Sequence, residues 1–94
     1  MDLKKLLKDQ IYFKILKFFH ENPMSIDTPR GISTWIGEEK QRVKKALLKL
    51  ARWKLLTAHK ATSTTGYSYT RDPKIIKKID ASLKKLKKPA PKTK

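Results

Sequence analysis

Apolar residues recur at helical spacing through most of this chain, in short blocks cut apart by proline and glycine. Such punctuation restricts the fold to a succession of short helices with little room for long strands. The block from Asp2 to His20 carries Leu3, Leu7, Ile11, Ile15, Phe18 and Phe19 on one broad face, widened by Leu6, Tyr12 and Leu16. Lys8, Lys14 and Lys17 lie away from that face, so one long amphipathic helix is expected. Glu21-Asn22-Pro23 ends it, because Pro23 disfavours helical geometry at Asn22 and brings no N–H donor. Met24 to Asp27 is too short for a helix and reads as a brief strand. Thr28-Pro29 then supplies an N-cap and a proline at the first helical position of a short second helix. Its inner side is read as Ile32, Trp35 and Ile36, and Gly37 suits a left-handed stop. Gly31 inside it costs about 1 kcal/mol relative to Ala, so this helix depends on its neighbours.

From Glu39 to about Trp53 the chain turns helical again, with Val43, Ala46, Leu47, Leu50 and Trp53 on one side. The other side is basic: Gln41, Arg42, Lys45, Lys49 and Arg52 cluster there, flanked by Lys40 and Lys44. Leu48 falls toward this polar face, where it is expected to touch another element or a partner. Leu55 to Ala61 and Tyr67 to Thr70 read as two strands, joined across Thr62-Ser63-Thr64-Thr65-Gly66 as a hairpin, with Gly66 supplying the positive φ of the turn. Asp72-Pro73 repeats the cap-plus-proline signal, and Ile75, Ile76, Ile79, Leu83 and Leu86 form a narrow stripe down a last helix ending near Lys88. Pro89 stops it, which leaves residues 89–94 as a disordered basic tail and 1–88 as one domain.

Lys and Arg number 24 against 8 Asp and Glu, a formal charge of +16 on 94 residues. That is far beyond what solubility requires and implies a polyanionic partner: nucleic acid first, an anionic membrane surface second. With no cysteine, disulfides, thiolate zinc sites and thiol catalysis are excluded, and the fold stands on packing alone. No apolar run approaches the roughly 18 residues needed to span a bilayer, and lysines interrupt the N-terminus where a signal peptide would be apolar, so an intracellular protein is expected. His20 and His59 lie in different elements with no paired acids nearby, Glu38 and Glu39 diverge on a helix, and no phosphate-binding glycine loop or nucleophile motif occurs. Neither an enzyme nor a bound cofactor or metal is expected. Trp35 and Trp53 read as core, and Tyr67 and Tyr69, on one strand face, as packing under the hairpin rather than as stacking platforms.

The order is helix, short strand, helix, tight turn, helix, hairpin, helix: mainly α with a small β-hairpin. At TPRGISTWIGEEKQRVKKALLKLARWKLL, residues 28–56, the chain resembles winged-helix (winged helix-turn-helix) transcription regulators of the broad bacterial and archaeal type. The resemblance rests on the Thr-Pro start, the Gly turn, the inner residues Val43, Ala46-Leu47 and Leu50, and Leu55-Leu56 opening the first wing strand, and it extends over roughly Thr28 to Thr70. Three departures stand out: Glu38-Glu39 replaces the usual Ser or Asp cap, Lys54 replaces the usual Gly before the strand, and the wing tip carries Ser and Thr instead of Arg or Lys.

The resemblance implies that the third helix, led by its N-terminal half, enters the major groove of double-stranded DNA while helix ends and the wing hold phosphates. It makes Gln41 and Arg42 candidates for base edges and Lys40, Lys44, Lys45 and Lys49 candidates for phosphate, with Thr28 at the second helix start and Lys60, Thr64 and Thr65 on the wing. A sequence-specific regulator in the cytoplasm, associated with the nucleoid, is the leading expectation. A low-specificity chromosomal coating protein and an RNA-binding or ribosome-associated winged helix are the rivals. The last stripe has two readings: it covers the chain's own first helix, or it joins that helix in a homodimer seam through Ile75, Ile79, Leu83 and Leu86. The seam is preferred, since a symmetric dimer matches a palindromic site.

Overall fold

The stripe read as one helix from 2 to 20 is two helices in the computed structural model, which describes residues 3–86 apart from the side chain of Leu86. They are α1 (Leu3–Leu7) and α2 (Gln10–Glu21). Asp9 makes the break: it takes extended geometry and its carboxylate accepts the Ile11 N–H at 3.1 Å, so the residue that looked like mid-helix surface is an N-cap. Aspartate competes with the helical ladder in this way wherever its short side chain reaches a free backbone donor. The break turns Leu6 and Leu7 onto the rest of the molecule, and α1 packs against both α2 and the last helix.

Beyond α2 come β1 (Ile26–Asp27), α3 (Pro29–Ile36), α4 (Lys40–Arg52), β2 (Leu56–Lys60), β3 (Thr65–Tyr69) and α5 (Pro73–Leu86). Thr28 caps α3 as expected, accepting the Gly31 N–H at 3.2 Å, and Gly37 closes it in left-handed geometry at φ 70. The three strands form an antiparallel sheet in the order β1-β3-β2, with Ile26 opposite Ser68 and the hairpin running from Leu56 opposite Tyr69 to Lys60 opposite Thr65. Gly66 therefore lies inside a strand, and positive φ occurs among the described residues only at Gly37 and Lys54. The reason for glycine at 66 is space: a Cβ there would press to 3.1 Å from the Ile26 side chain of β1.

Lys54 occupies the position where the resemblance leads one to expect glycine, with φ 65. Its N–H meets the Ala51 carbonyl and the Leu55 N–H reaches back to the Leu50 carbonyl, both at 3.0 Å, which is the paired closure of a Schellman motif. Leu50 and Leu55, both fully buried, supply the apolar contact that accompanies it. A side chain in left-handed geometry costs about 1 kcal/mol. Lys54→Gly is accordingly expected to raise the melting temperature by about 5 °C, read by thermal denaturation; an unchanged or lower value would show that the motif holds Lys54 without strain.

The core is built on α2, whose Ile11, Ile15, Leu16 and Phe19 meet Ile32 from α3, Val43, Leu47 and Leu50 from α4, and Tyr67 and Tyr69 from β3. Both tyrosines are buried under the wing, as their spacing suggested. Trp35, read as core, is 71% exposed. Buried Pro29 swings the inner line of α3 toward Pro29, Ile32 and Ile36, which leaves Trp35 about a quarter turn outside it, tilted against Phe18 with ring centroids 6.1 Å apart.

Of the last stripe, the two middle residues follow the reading in which it covers the chain's own first helix. Ile79 is fully buried and Leu83 nearly so, packed within the chain's own core, while Ile75 and Ile76 pack at its edge. Two features commit α5 to this position: Asp72 caps it by accepting the Lys74 N–H at 2.9 Å, and His20 bridges the Tyr69 hydroxyl (3.0 Å) and the Asp80 carboxylate (2.9 Å). Burial, then the Asp80 charge, pushes the Tyr69 hydroxyl up to about 12. The expected basic tail, 89–94, lies outside the described residues.

Candidate nucleic-acid interface

Three elements converge on one open groove. The start of α3 brings Thr28 and Arg30, α4 brings Lys40, Lys44 and Leu48, and the hairpin brings Lys60 with Thr62, Ser63, Thr64 and Thr65. The groove encloses about 550 Å³, and none of its lining residues is acidic. Because α4 rises one turn about every four residues, Lys40, Lys44 and Leu48 form a ridge along the helix flank nearest the wing. The wing is held beside them by its register and by a tip in which the Ala61 N–H donates to the Thr64 carbonyl at 2.8 Å. Lys60 leaves the end of β2 exposed, across the groove from Lys40 and Lys44.

Six of the ten residues proposed from sequence thus come together: Thr28, Lys40, Lys44, Lys60, Thr64 and Thr65. Gln41 and Lys45 lie exposed on the outward face of α4, next to the groove and outside its lining. Arg42 and Lys49 turn the other way, toward α2. The Arg42 guanidinium sits 3.5 Å from the Glu38 carboxylate, and the Lys49 ammonium lies over the rings of Tyr12 (5.8 Å) and Trp53 (5.3 Å). Lys49 is therefore half of a cation–π arrangement that ties α4 to α2, a geometry in which an ammonium is attracted by the ring face.

At the start of α4 the side chain of Glu39, the residue in the cap position, makes no cap hydrogen bond, and its neighbour Glu38 is held by side chains instead. Lys14 of α2 donates to the Glu38 carboxylate at 2.8 Å, and this bond chiefly holds the Glu38 carboxyl below its ordinary range; partial burial opposes it, and the charges of Lys14 and Arg42 add to it. The negative charge stands at the amino end of α4, where the helix dipole favours it.

Among the lining residues outside those ten, Arg30 and Leu48 bear most on binding. Arg30 follows the cap-plus-proline signal, in the first turn of a helix whose start was already a candidate phosphate site, and that adjacency was the available cue. Leu48, expected from its place on the polar face to touch another element or a partner, is 52% exposed at the groove. The histidines stand elsewhere: His20 in the α2–α5 clamp and His59 on the sheet, 2.7 Å from the Ser68 hydroxyl. Among the described residues no group of three or more His, Cys, Asp or Glu side chains is placed to hold a metal ion, and no helix is long and apolar enough to cross a membrane.

No protein-family model matches the chain, and no curated protein matches it in sequence. Solved structures do match in three dimensions. The crystal structure of the AntR antimony-specific transcriptional repressor superposes with a TM-score of 0.70 at 18% identity, covering 87% of this chain and 71% of that one. Reduced HlyU from Vibrio cholerae superposes with a TM-score of 0.67 at 18% identity, covering 90% of this chain and 84% of that one. The chain is mostly helical with a small three-stranded antiparallel sheet, and with these neighbours its fold is a winged helix.

Proposed function

We propose that the chain is a double-stranded DNA-binding transcription regulator, acting in the cytoplasm on the nucleoid, in which α4 enters the major groove and the wing lies along the backbone. The observation that carries this reading is the groove itself: Arg30, Lys40, Lys44 and Lys60 reach it from three elements with no acid among them. Phosphates spaced along a duplex are the ligand that such a distributed set of cations fits. An α-helix about 10–12 Å across also matches a major groove about 12 Å wide, whereas the major groove of duplex RNA is too narrow and deep for side chains to read. That one structural neighbour, AntR, is a transcriptional repressor supports the same reading. With no cysteine in its 94 residues, the chain offers no thiolate to a soft ion such as antimony, so the proposal carries over DNA and not that effector.

Two copies on an inverted repeat would match the symmetry common to such regulators. Ile79 and Leu83 are taken up by the chain's own core, so such a pair would not rest on those two side chains.

The test is direct competition between random-sequence duplex DNA and structured RNA of equal length across a salt series, followed by selection of a preferred duplex from a pool. A specific regulator prefers DNA and favours the selected site by at least about 4 kcal/mol over random duplex. Uniform affinity for every duplex would instead make it a coating protein, and preference for RNA would overturn the DNA reading.

A further inference from the structure

Along α4, Val43, Ala46, Leu47 and Leu50 fix the inward direction. At about 100° per residue the opposite direction falls on Gln41, Lys45, Leu48 and Arg52, which form a single outward ridge. Three members of that ridge are polar or charged and Leu48 is a large apolar side chain, half exposed and rimmed by Lys44 and the wing. A lone exposed leucine on an ordinary surface means little. Here it stands in the middle of the face that meets base edges if the proposed function holds, where a polar residue would be solvated in the free protein at less cost.

Of the features that distinguish the base pairs in the major groove, the 5-methyl of thymine is the apolar one, and the others are hydrogen-bond donors and acceptors. From this placement, and resting on the DNA reading above, we infer that Leu48 is a specificity-determining residue that selects thymine by packing on its 5-methyl group. Lys44 and Lys60 beside it hold the flanking phosphates, and Gln41 one helical stretch earlier is placed for adenine on the same ridge. The duplex class preferred by the chain is therefore rich in A·T pairs, chosen through the major groove.

The experiment compares two alternating duplexes of equal length and charge, one of adenine and thymine and one of adenine and uracil in deoxyribose form. They differ only by the methyl group, and every register of either places the same kind of base pair under Leu48. The full chain is expected to bind the thymine duplex about fourfold more tightly, the loss that accompanies exposure of one buried methyl. Leu48→Met keeps that ratio, because an apolar side chain remains, and Leu48→Ser brings it to one while leaving the salt dependence unchanged. Equal affinity of the unmodified chain for both duplexes overturns the inference and leaves DNA binding standing, as does a thymine preference that survives in Leu48→Ser. Absence of salt-dependent binding to either duplex removes the DNA reading along with it.

Discussion

Replacing Lys40, Lys44 and Lys60 together by alanine is expected to weaken duplex binding about 10²-fold at 0.1 M salt and to flatten the slope of log affinity against log salt by about 3. Each phosphate contact releases close to one counterion, so three lost contacts remove nearly three units of slope. All three side chains are exposed and line the same groove, so the fold should survive their removal. The informative control is Lys77, Lys78 and Lys85 on α5, also exposed, whose replacement lowers the net charge equally. If that variant loses as much affinity as the groove variant, binding follows total charge and the groove has no special part in it. A slope that falls only in the groove variant locates the phosphates between α4 and the wing.

The second large effect is on stability. Phe19 is fully buried at the centre of the molecule, stacked on Tyr69 with ring centroids 6.5 Å apart and 13° between planes, and met edge-on by Phe18 at 5.1 Å. Phe19→Ala removes that contact and leaves a cavity, at a cost of about 3–5 kcal/mol. Domains of this size hold about 5–15 kcal/mol in all, so the melting temperature should fall by at least about 15 °C. Trp35→Ala, by contrast, truncates a larger ring at an exposed position and should stay within about 0.5 kcal/mol of the parent. A small shift for Phe19, or a large one for Trp35, would contradict this account of which aromatic rings hold the fold.

Both results bear on what the sequence made legible. Periodicity placed α4 and its inner residues Val43, Ala46, Leu47 and Leu50 within a residue or two, because that helix has one covered side and one basic side. It failed at Trp35, since α3 is only eight residues long and a quarter-turn change in its inner line separates core from surface. It failed also at Asp9, where apolar residues continue on both sides of the break and only the cap geometry distinguishes two helices from one. For the site, cap signals and charge pointed to six of the residues that line the groove. They could not separate Lys44 from Lys49, which are both lysines of the same helix; what divides them is the rings of Tyr12 and Trp53 on one side of α4 and the wing on the other. Contacts between distant segments carry that information.

Gly31 shows how a tertiary contact can invert the meaning of a residue. By helix propensity it is a flaw, and an engineer seeking a hardier protein would put alanine there first. In the folded chain the added methyl would overlap the Asp27 carboxylate, which itself accepts the Thr28 N–H at the entrance to α3. Making room requires the Asp27 carboxylate to turn away, which gives up the hydrogen bond it accepts from the Thr28 N–H. What alanine gains in helix propensity at this position is thus set against a hydrogen bond lost at the entrance to α3.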